Sequence, residues 1–172
     1  MQFLKGTKPN DKFILSIHAH QGIIHKICNL YARSATDRQD LFQEMLMQLW
    51  KAFSGYKEDA KFTTWMYRVC LNTAISNLRK EKRRPLFSTM DKHAMDGGPF
   101  EWPAEANDEL AHLYKAIEQL NEVEKAIIHL YLEENSYGEI AKILGISVSN
   151  VGVKINRIKS KLETIINSKQ NN

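Results

Sequence analysis

Three residues at helical spacing are the first candidates for chemistry. His18, His25 and Cys28 share one face if the segment HAHQGIIHKIC is helical. Imidazole and thiolate are zinc ligands, but a zinc site needs a fourth ligand or water, and His20 points away from that face. We therefore interpret the three as packed or surface side chains and expect no metal and no cofactor. No Ser/His/Asp set, glycine-rich phosphate loop or paired-carboxylate site stands out.

A second group of residues is suited to binding a protein. In the segment DLFQEMLMQLW, Asp40, Gln43 and Glu44 fall at i, i+3 and i+4 and so share one helix face. This face is acidic within an otherwise basic region, which favours a partner with exposed arginines. The alternative is that Asp40 and Glu44 complement the helix dipole and stay solvated. The residues expected to point into the core are Phe42, Met45, Leu49 and Phe53.

Aromatic and basic residues are combined in the segment FTTWMYRVCLNTAISNLRKEKRR and in the loop before it. Rings that stack on bases and cations that follow phosphates suit single-stranded nucleic acid. Phe62, Trp65 and Val69 have the spacing of core residues. The predicted base contacts are Tyr56, Lys57 and Asn72, and the predicted contacts to the nucleic-acid backbone are Arg79, Lys80, Arg83 and Arg84.

The segment SYGEIAKILGISVSNVGVKINRIKSKL has the pattern of a helix-turn-helix. Ser136 caps the first helix with Glu139 three residues on, Gly145 makes the turn, and Ser147 starts the second helix. The expected core residues are Ile140, Ala141, Leu144, Val151 and Ile155. The predicted contacts to phosphates and base edges in a major groove are Ser149, Asn150, Lys154 and Arg157. An ordinary helical hairpin is the alternative.

The elements that must position these residues are helices. Periodicity predicts one helix over about 11–35, a second capped by Thr36 or Asp37, and a third from near Lys61 to Pro85. Residues 85–108 contain three of the four prolines and a Gly-Gly pair, which is typical of a linker. Further helices are predicted at 109–120, after Asn121, after Ser136 and over about 148–166. The predicted fold is all-α, with small helical domains at residues 1–84 and 109–172 joined by a flexible linker.

Composition and charge limit the classes of function. Apolar residues make up 43% and charged residues 26%, as in ordinary soluble proteins. Only two cysteines are present and the N-terminal segment has no long apolar run, so we expect a cytoplasmic protein. Residues 1–84 hold 15 basic and 7 acidic residues, residues 85–135 hold 3 and 11, and residues 136–172 hold 6 and 2. Two basic regions around an acidic one predict polyanion binding at two places, unless they are merely solvated faces.

Three segments, in this order and spacing, resemble the extracytoplasmic-function (ECF) sigma factors of bacterial RNA polymerase. They are DLFQEMLMQLWKAF, FTTWMYRVCLNTAISNLRKEKRR and LNEVEKAIIHLYLEENSYGEIAKILGISVSNVGVKINRIKSKL, and the resemblance covers roughly residues 11–167. It implies a protein that is not an enzyme and that directs core polymerase to promoters. Residues 1–84 then correspond to sigma region 2, residues 85–108 to the linker and residues 109–172 to the region 4 helix-turn-helix.

The resemblance also implies roles for individual residues. Asp40, Gln43 and Glu44 match the face that docks on the clamp helices of the polymerase β′ subunit, and the β flap is a second expected polymerase contact. Tyr56 and the loop to Lys61 match the loop that captures a flipped base of the melted minus-ten element, with Asn72 near that DNA. The helix from Val148 matches the recognition helix for the minus-thirty-five element. An anti-sigma factor, commonly membrane-anchored in the family, is a further expected partner.

Two residues depart from the family pattern, and one of them is Asn150, which stands where threonine is common. Gly152 stands where members usually carry Lys or Arg, so we expect one DNA contact to be missing there. Three other functions stay open: a stand-alone helix-turn-helix regulator, a nucleic-acid-modifying enzyme, and an adaptor that binds polymerase but not DNA. The absence of an obvious ligand pocket, dimer heptad and catalytic set counts against the first two.

Overall fold

The structure, a computed structural model, describes residues 9–57, 60–83 and 108–170. Those residues form seven α-helices and no strand. The helices are α1 Pro9–Tyr31, α2 Ala35–Phe53, α3 Phe62–Arg83, α4 Asp108–Ile117, α5 Glu122–Leu132, α6 Tyr137–Leu144 and α7 Val148–Gln170. The chain divides into two compact units, Met1–Asp96 and Gly97–Asn172. The predicted all-α fold with two helical domains is confirmed, whereas the predicted linker falls, apart from Asp108, outside the described residues.

The N-terminal unit is a bundle in which α1, α2 and α3 all pack on one another. Each helix supplies side chains at spacings of three or four, so one stripe of each faces the common core. The fully buried side chains are Ile24 and Ile27 from α1, Met45 and Leu49 from α2, and Met66, Cys70 and Leu71 from α3. Burial of these stripes fixes the rotation of each helix and therefore decides which residues face outward.

The start of α2 differs from the prediction. Ser34, rather than Thr36 or Asp37, is the N-cap, and its Oγ accepts the backbone N–H of Asp37 at 3.0 Å. The prediction was wrong because α1 ends at Tyr31, which frees an earlier residue to cap the next helix. Asp37 instead lies in the first turn, where a carboxylate stabilises the positive end of the helix dipole.

The C-terminal unit packs α4, α5 and α6 against the long helix α7. Both predicted capping boxes are present, Asn121 with Glu124 and Ser136 with Glu139. The predicted turn between α6 and α7 is also present: Gly145 has φ 68° and ψ 36°, a left-handed conformation that costs glycine little. The helix-turn-helix is thus built as the sequence indicates.

The core of the helix-turn-helix agrees with the prediction at four of five positions. Ile140, Ala141, Val151 and Ile155 are buried. Leu144, the last residue of α6, is only half-buried, and Ile143 is buried in addition. The opposite side of α7 is consequently turned to solvent.

Candidate nucleic-acid and protein interfaces

The acidic face lies along the outer side of α2. Leu41, Met45 and Leu49 take the inner side, which leaves Asp40 and Gln43 exposed and Glu44 half-buried. Glu44 Oε1 accepts a hydrogen bond of 2.8 Å from Gln48 Nε2, which holds the carboxylate in place on the helix surface. The three residues that the sequence grouped are therefore close together and open to a partner.

Two apolar residues continue this face, and sequence reasoning missed them. Met47 and Trp50 are 49% and 48% exposed and follow Gln43 by four and seven residues, on the same side of α2. One edge of Trp50 contacts Phe13, with ring centroids 5.0 Å apart, while the rest of the indole is open. The spacing of Gln43, Met47 and Trp50 at i, i+4 and i+7 could have indicated that they share a face. Apolar side chains in an amphipathic helix are, however, normally assigned to the core. We call Asp40, Gln43, Glu44, Met47 and Trp50 the α2 face.

An aromatic cluster supports the loop between α2 and α3. The ring centroid of Tyr56 lies 5.0 Å from that of Trp65, 5.6 Å from that of Phe62 and 6.4 Å from that of Phe53. The Tyr56 hydroxyl donates to the Ala60 carbonyl at 2.8 Å, which ties the loop back on itself. Phe62 and Trp65, expected in the core, are half-buried because they form the platform under this ring. Two predicted contact residues, Lys57 and Lys61, are exposed on either side of the bridged loop.

A basic stripe follows the outer side of α3. Asn72, Arg79 and Arg83 are exposed and lie at i, i+7 and i+11, so they share one side of the helix, with Lys80 exposed beside them. Arg68, also exposed, stands four residues before Asn72 and extends the stripe toward the Tyr56 loop. Sequence reasoning missed Arg68, although its spacing from Asn72 was a usable signal. Arg84 lies outside the described residues.

The outer side of α7 presents most of the predicted duplex contacts together. Ser149 and Asn150 are exposed near the start of the helix, and Arg157 is exposed about two turns after Asn150. Ser147 caps α7 by accepting the backbone N–H of Asn150 on its Oγ at 3.2 Å, which leaves the Asn150 side chain available. Lys154 differs from the other three because it is half-buried, and its charge helps to lower the pKa of Glu124 on α5.

Glu124 of α5 lies close to basic residues of α7. Partial burial raises the pKa of Glu124, but the hydrogen bond from Lys161, the Asn121 backbone N–H and the charges of Lys161 and Lys154 outweigh it, so the pKa is lowered overall. Lys161 Nζ lies 2.8 Å from Glu124 Oε2. The same carboxylate thus completes a helix cap and pairs with Lys161 of the neighbouring helix.

Matches to known sequences identify the family. The family model described as Sigma-70 region 2 matches residues 17–84, and the model described as Sigma-70, region 4 matches residues 110–162. The chain is 31% identical over 153 residues to the RNA polymerase sigma-H factor of Pseudomonas aeruginosa, covering 81% of this chain and 79% of the relative. It is 30% identical over 152 residues to the ECF RNA polymerase sigma-E factor of Escherichia coli K12, covering 81% and 80%. The chain belongs to the ECF sigma factors.

The function of the sigma factor follows from this membership. It directs bacterial core RNA polymerase to specific promoters and assists the initiation of transcription, so its partners are core polymerase and promoter DNA. The stand-alone regulator is not favoured, because both regions that define a sigma factor are present in the expected order.

Two solved structures have the same fold. One is CnrH in complex with the cytosolic domain of CnrY, with a TM-score of 0.64 and 21% identity, covering 95% of this chain and 91% of that one. The other is the sigma factor RpoE of Bartonella quintana in complex with the anti-sigma factor NepR, with a TM-score of 0.67 and 19% identity, covering 92% and 96%. The predicted fold class is consistent with both.

Gly152, which is expected to depart from the family pattern, lies on α7 beside a neighbouring helix. Gly152 faces the ring of Tyr137, the first residue of α6. Near them, Lys159 Nζ lies 4.4 Å from the ring centroid of Tyr131 and donates to its hydroxyl at 2.8 Å, and this hydrogen bond raises the pKa of Lys159. The side of α7 next to Gly152 is therefore occupied by aromatic rings.

The histidine and cysteine group of α1 is not assembled as a site. Cys28 is buried with its Sγ 3.9 Å from Met45 Sδ, whereas His18 is exposed and His25 stacks on Phe42 with ring centroids 4.9 Å apart. Burial raises the pKa of Cys28 to about 11 and that of Cys70 to about 12. Both thiols are thus protonated and structural. In the described part of the chain no helix is long and apolar enough to cross a membrane.

Proposed function

We propose that the sigma factor docks on core polymerase through the α2 face. The carboxylates of Asp40 and Glu44 offer an acidic surface to cationic side chains of the β′ clamp helices, while Met47 and Trp50 offer apolar area beside it. Interfaces gain affinity where exposed aromatic and aliphatic groups become buried, and charge guides the approach. The exposure of this mixed face, on a helix whose inner side is fully used by the core, is the observation that supports the assignment most strongly.

In this proposal the N-terminal domain binds the melted minus-ten element. A base extruded from the duplex enters beside Tyr56, and Lys57, Lys61 and Asn72 contact the same strand. The exposed cations Arg79, Lys80 and Arg83, together with Arg84, hold the DNA backbone. Because the contact with an extruded base exists only with unpaired DNA, binding shifts the equilibrium toward the open promoter. The platform of Phe62 and Trp65 under Tyr56 supports this role, since it fixes the ring that must meet the base.

The C-terminal domain reads the duplex minus-thirty-five element. Ser149, Asn150, Lys154 and Arg157 enter the major groove from α7. Region 2 extends over residues 1–84, the linker over 85–108 and region 4 over 109–172, as the sequence suggests. The β flap of polymerase contacts region 4.

The remaining parts of the proposal concern regulation and location. The sigma factor acts by binding alone, without catalysis, in the cytoplasm. An anti-sigma factor that covers the polymerase-binding surfaces holds it inactive, and this is supported by the solved relatives, which are complexes with an anti-sigma factor and with the CnrY cytosolic domain.

One experiment tests the proposal as a whole. The purified full chain is mixed with core RNA polymerase, recovered by pull-down, and used to transcribe a library of randomised promoters. We expect a stable complex and transcripts that start downstream of two shared sequence elements. The stand-alone regulator predicts tight binding to duplex DNA without polymerase and no change in start sites, and that outcome would reject the proposal.

A further inference from the structure

Val153 lies in the centre of the reading side of the recognition helix. It is two residues after Val151 and two before Ile155, both fully buried, so its side chain leaves α7 on the side away from the core and is 49% exposed. Ser149 and Asn150 precede it by four and three residues, which makes them its neighbours on the helix surface. An aliphatic side chain thus stands among the polar residues that approach DNA.

The fold gives no reason for a valine at this position. The core of the helix-turn-helix is filled by Ile140, Val151 and Ile155, on the other side of α7. Valine is a poorer helix former than leucine, lysine or glutamine, because its β-branch loses freedom against the preceding turn. Stability alone would favour another residue here.

The neighbouring residues along the chain leave Val153 uncovered. Gly152 has no side chain, and Lys154 is half-buried and turned about 100° around the helix from Val153. Arg157, one turn on, is exposed and supplies a cation for a phosphate or a guanine. The two methyl groups of Val153 are therefore free to meet a base edge when α7 enters a major groove.

We propose that Val153 determines promoter specificity by contacting the C5 methyl group of a thymine in the upstream promoter element. This inference rests on the proposed function of region 4. In the major groove only thymine presents a methyl group; cytosine has only a hydrogen atom at C5, beside its amino group, and the purines present hydrogen-bonding atoms. Placing the isopropyl group against those polar atoms would remove their water without replacing its hydrogen bonds, and this costs free energy. Apolar contact with the thymine methyl has no such cost.

The first step of the test compares promoter selection by three holoenzymes. Active promoters are selected from the randomised library with three forms of holoenzyme. They contain the wild-type chain, the Val153→Ser variant or the Val123→Ser control. Serine and valine have similar helix propensities, so the change removes the methyl groups with little effect on the helix. Val123 is also an exposed valine, but on α5. We expect the promoters selected by the wild type and by the control to share a thymine in the upstream element. The promoters selected by Val153→Ser should lack this preference and keep all the others.

The second step isolates the methyl group. The selected thymidine is replaced by 2′-deoxyuridine, which lacks only the C5 methyl, and transcription is measured at limiting holoenzyme. We expect about a fourfold loss for the wild type and for Val123→Ser, the value for one buried methyl-sized group, and no loss for Val153→Ser. If Val153→Ser fails to transcribe, Val153→Ala replaces it, with the same expectation.

The outcomes separate this inference from the function on which it rests. If the wild type selects no promoter, the proposed function fails and this inference fails with it. If promoters are selected but contain no upstream thymine, or if thymidine and deoxyuridine are used equally, only the role of Val153 is overturned. It is equally overturned if Val153→Ser keeps the full deoxyuridine penalty, since another residue would then read the methyl group.

Discussion

The ring of Tyr137 lies directly beside Gly152 of α7. A methyl group placed on the Cα atom of Gly152 would be 3.5 Å from Cε2 of Tyr137, an ordinary van der Waals contact. The space therefore accepts alanine, and the first prediction follows from it. Gly152→Ala should raise the free energy of unfolding of the C-terminal domain by about 1 kcal/mol, because glycine inside a helix costs that much relative to alanine.

The matched control for Gly152 uses the same substitution at Gly145. The positive φ of Gly145 disfavours any side chain, so Gly145→Ala should lower the stability by about 1 kcal/mol. Hydrogen exchange of the buried amides of α5 and α7 in the full chain measures both changes. Equal effects of the two substitutions would contradict the geometry.

The second prediction concerns the α2 face. Asp40→Lys or Glu44→Lys should weaken binding to core polymerase by about a hundredfold or more, because reversing one charge of a docked pair costs several kcal/mol. Circular dichroism should stay unchanged, since Asp40 is exposed and Glu44 is bonded only within α2 in the described contacts. Glu118→Lys, an exposed charge reversal in the other domain, serves as the control and should bind normally. Normal binding by both α2 variants would remove this face from the interface.

The third prediction is a pH dependence of stability from Glu124. Its pKa is lower in the folded chain than in the unfolded one, so its contribution is fully present at neutral pH and is lost as the pH falls through the folded pKa. Glu124→Gln should therefore lower the free energy of unfolding by about 0.5 kcal/mol at pH 7, since partly exposed pairs contribute little. The difference in free energy of unfolding between Glu124→Gln and the wild type should become smaller at acidic pH.

A double-mutant cycle identifies the partner of Glu124. The side-chain amide introduced by Glu124→Gln has an oxygen that can still accept the Asn121 backbone N–H, so the variant removes the charge and keeps the cap. Lys161→Met should have no further effect once the charge of Glu124 is gone. Additive losses would show that the two side chains act independently.

The fourth prediction concerns the buried thiols. Unfolding returns the pKa of Cys28 and Cys70 from about 11 and about 12 toward an ordinary value near 9. At pH 8 the thiolate fraction is therefore about a hundred times or more smaller in the folded chain, and a disulfide reagent should label the native protein at least that much more slowly than the urea-unfolded protein. Because the folded pKa values are raised, stability should also fall as the pH rises above about 9. Fast labelling of the native chain would contradict the burial.

The fifth prediction separates the ring of Tyr56 from its hydroxyl. Tyr56→Phe keeps the aromatic cluster and loses the hydrogen bond to Ala60, so it should cost about 1 kcal/mol or less in stability. Tyr56→Ala removes the ring and should reduce promoter opening, measured as reactivity of thymines to permanganate in the minus-ten element. Unchanged opening by Tyr56→Ala would exclude this residue from base capture.

Local sequence signals predicted most of the fold but only some of the contacts on the surface. Capping boxes and the left-handed glycine act within a few residues, which is why Asn121, Ser136 and Gly145 were assigned correctly. The contact between Lys161 and Glu124 joins residues 37 apart, and no local pattern indicates it. Such contacts depend on how helices cross, which the packing of the whole domain decides.

In the candidate sites, too, the features that depend on helical spacing were predicted and those that depend on packing were not. Helical spacing was sufficient to place Asp40, Gln43 and Glu44 together. It did not predict that Met47 and Trp50 would stay exposed, because periodicity gives the direction of a side chain but not where the core ends. The prediction that Trp65 belongs to the core was likewise incomplete, since its ring is shared between the core and the loop above it.

In the proposed interface with polymerase, the order of side chains along α2, carboxylates first and large apolar groups last, has a kinetic consequence. Dissolved ions weaken attraction between exposed charges but leave apolar burial largely intact. Rising ionic strength would then slow the capture of polymerase while the residence time of an already formed holoenzyme changes little.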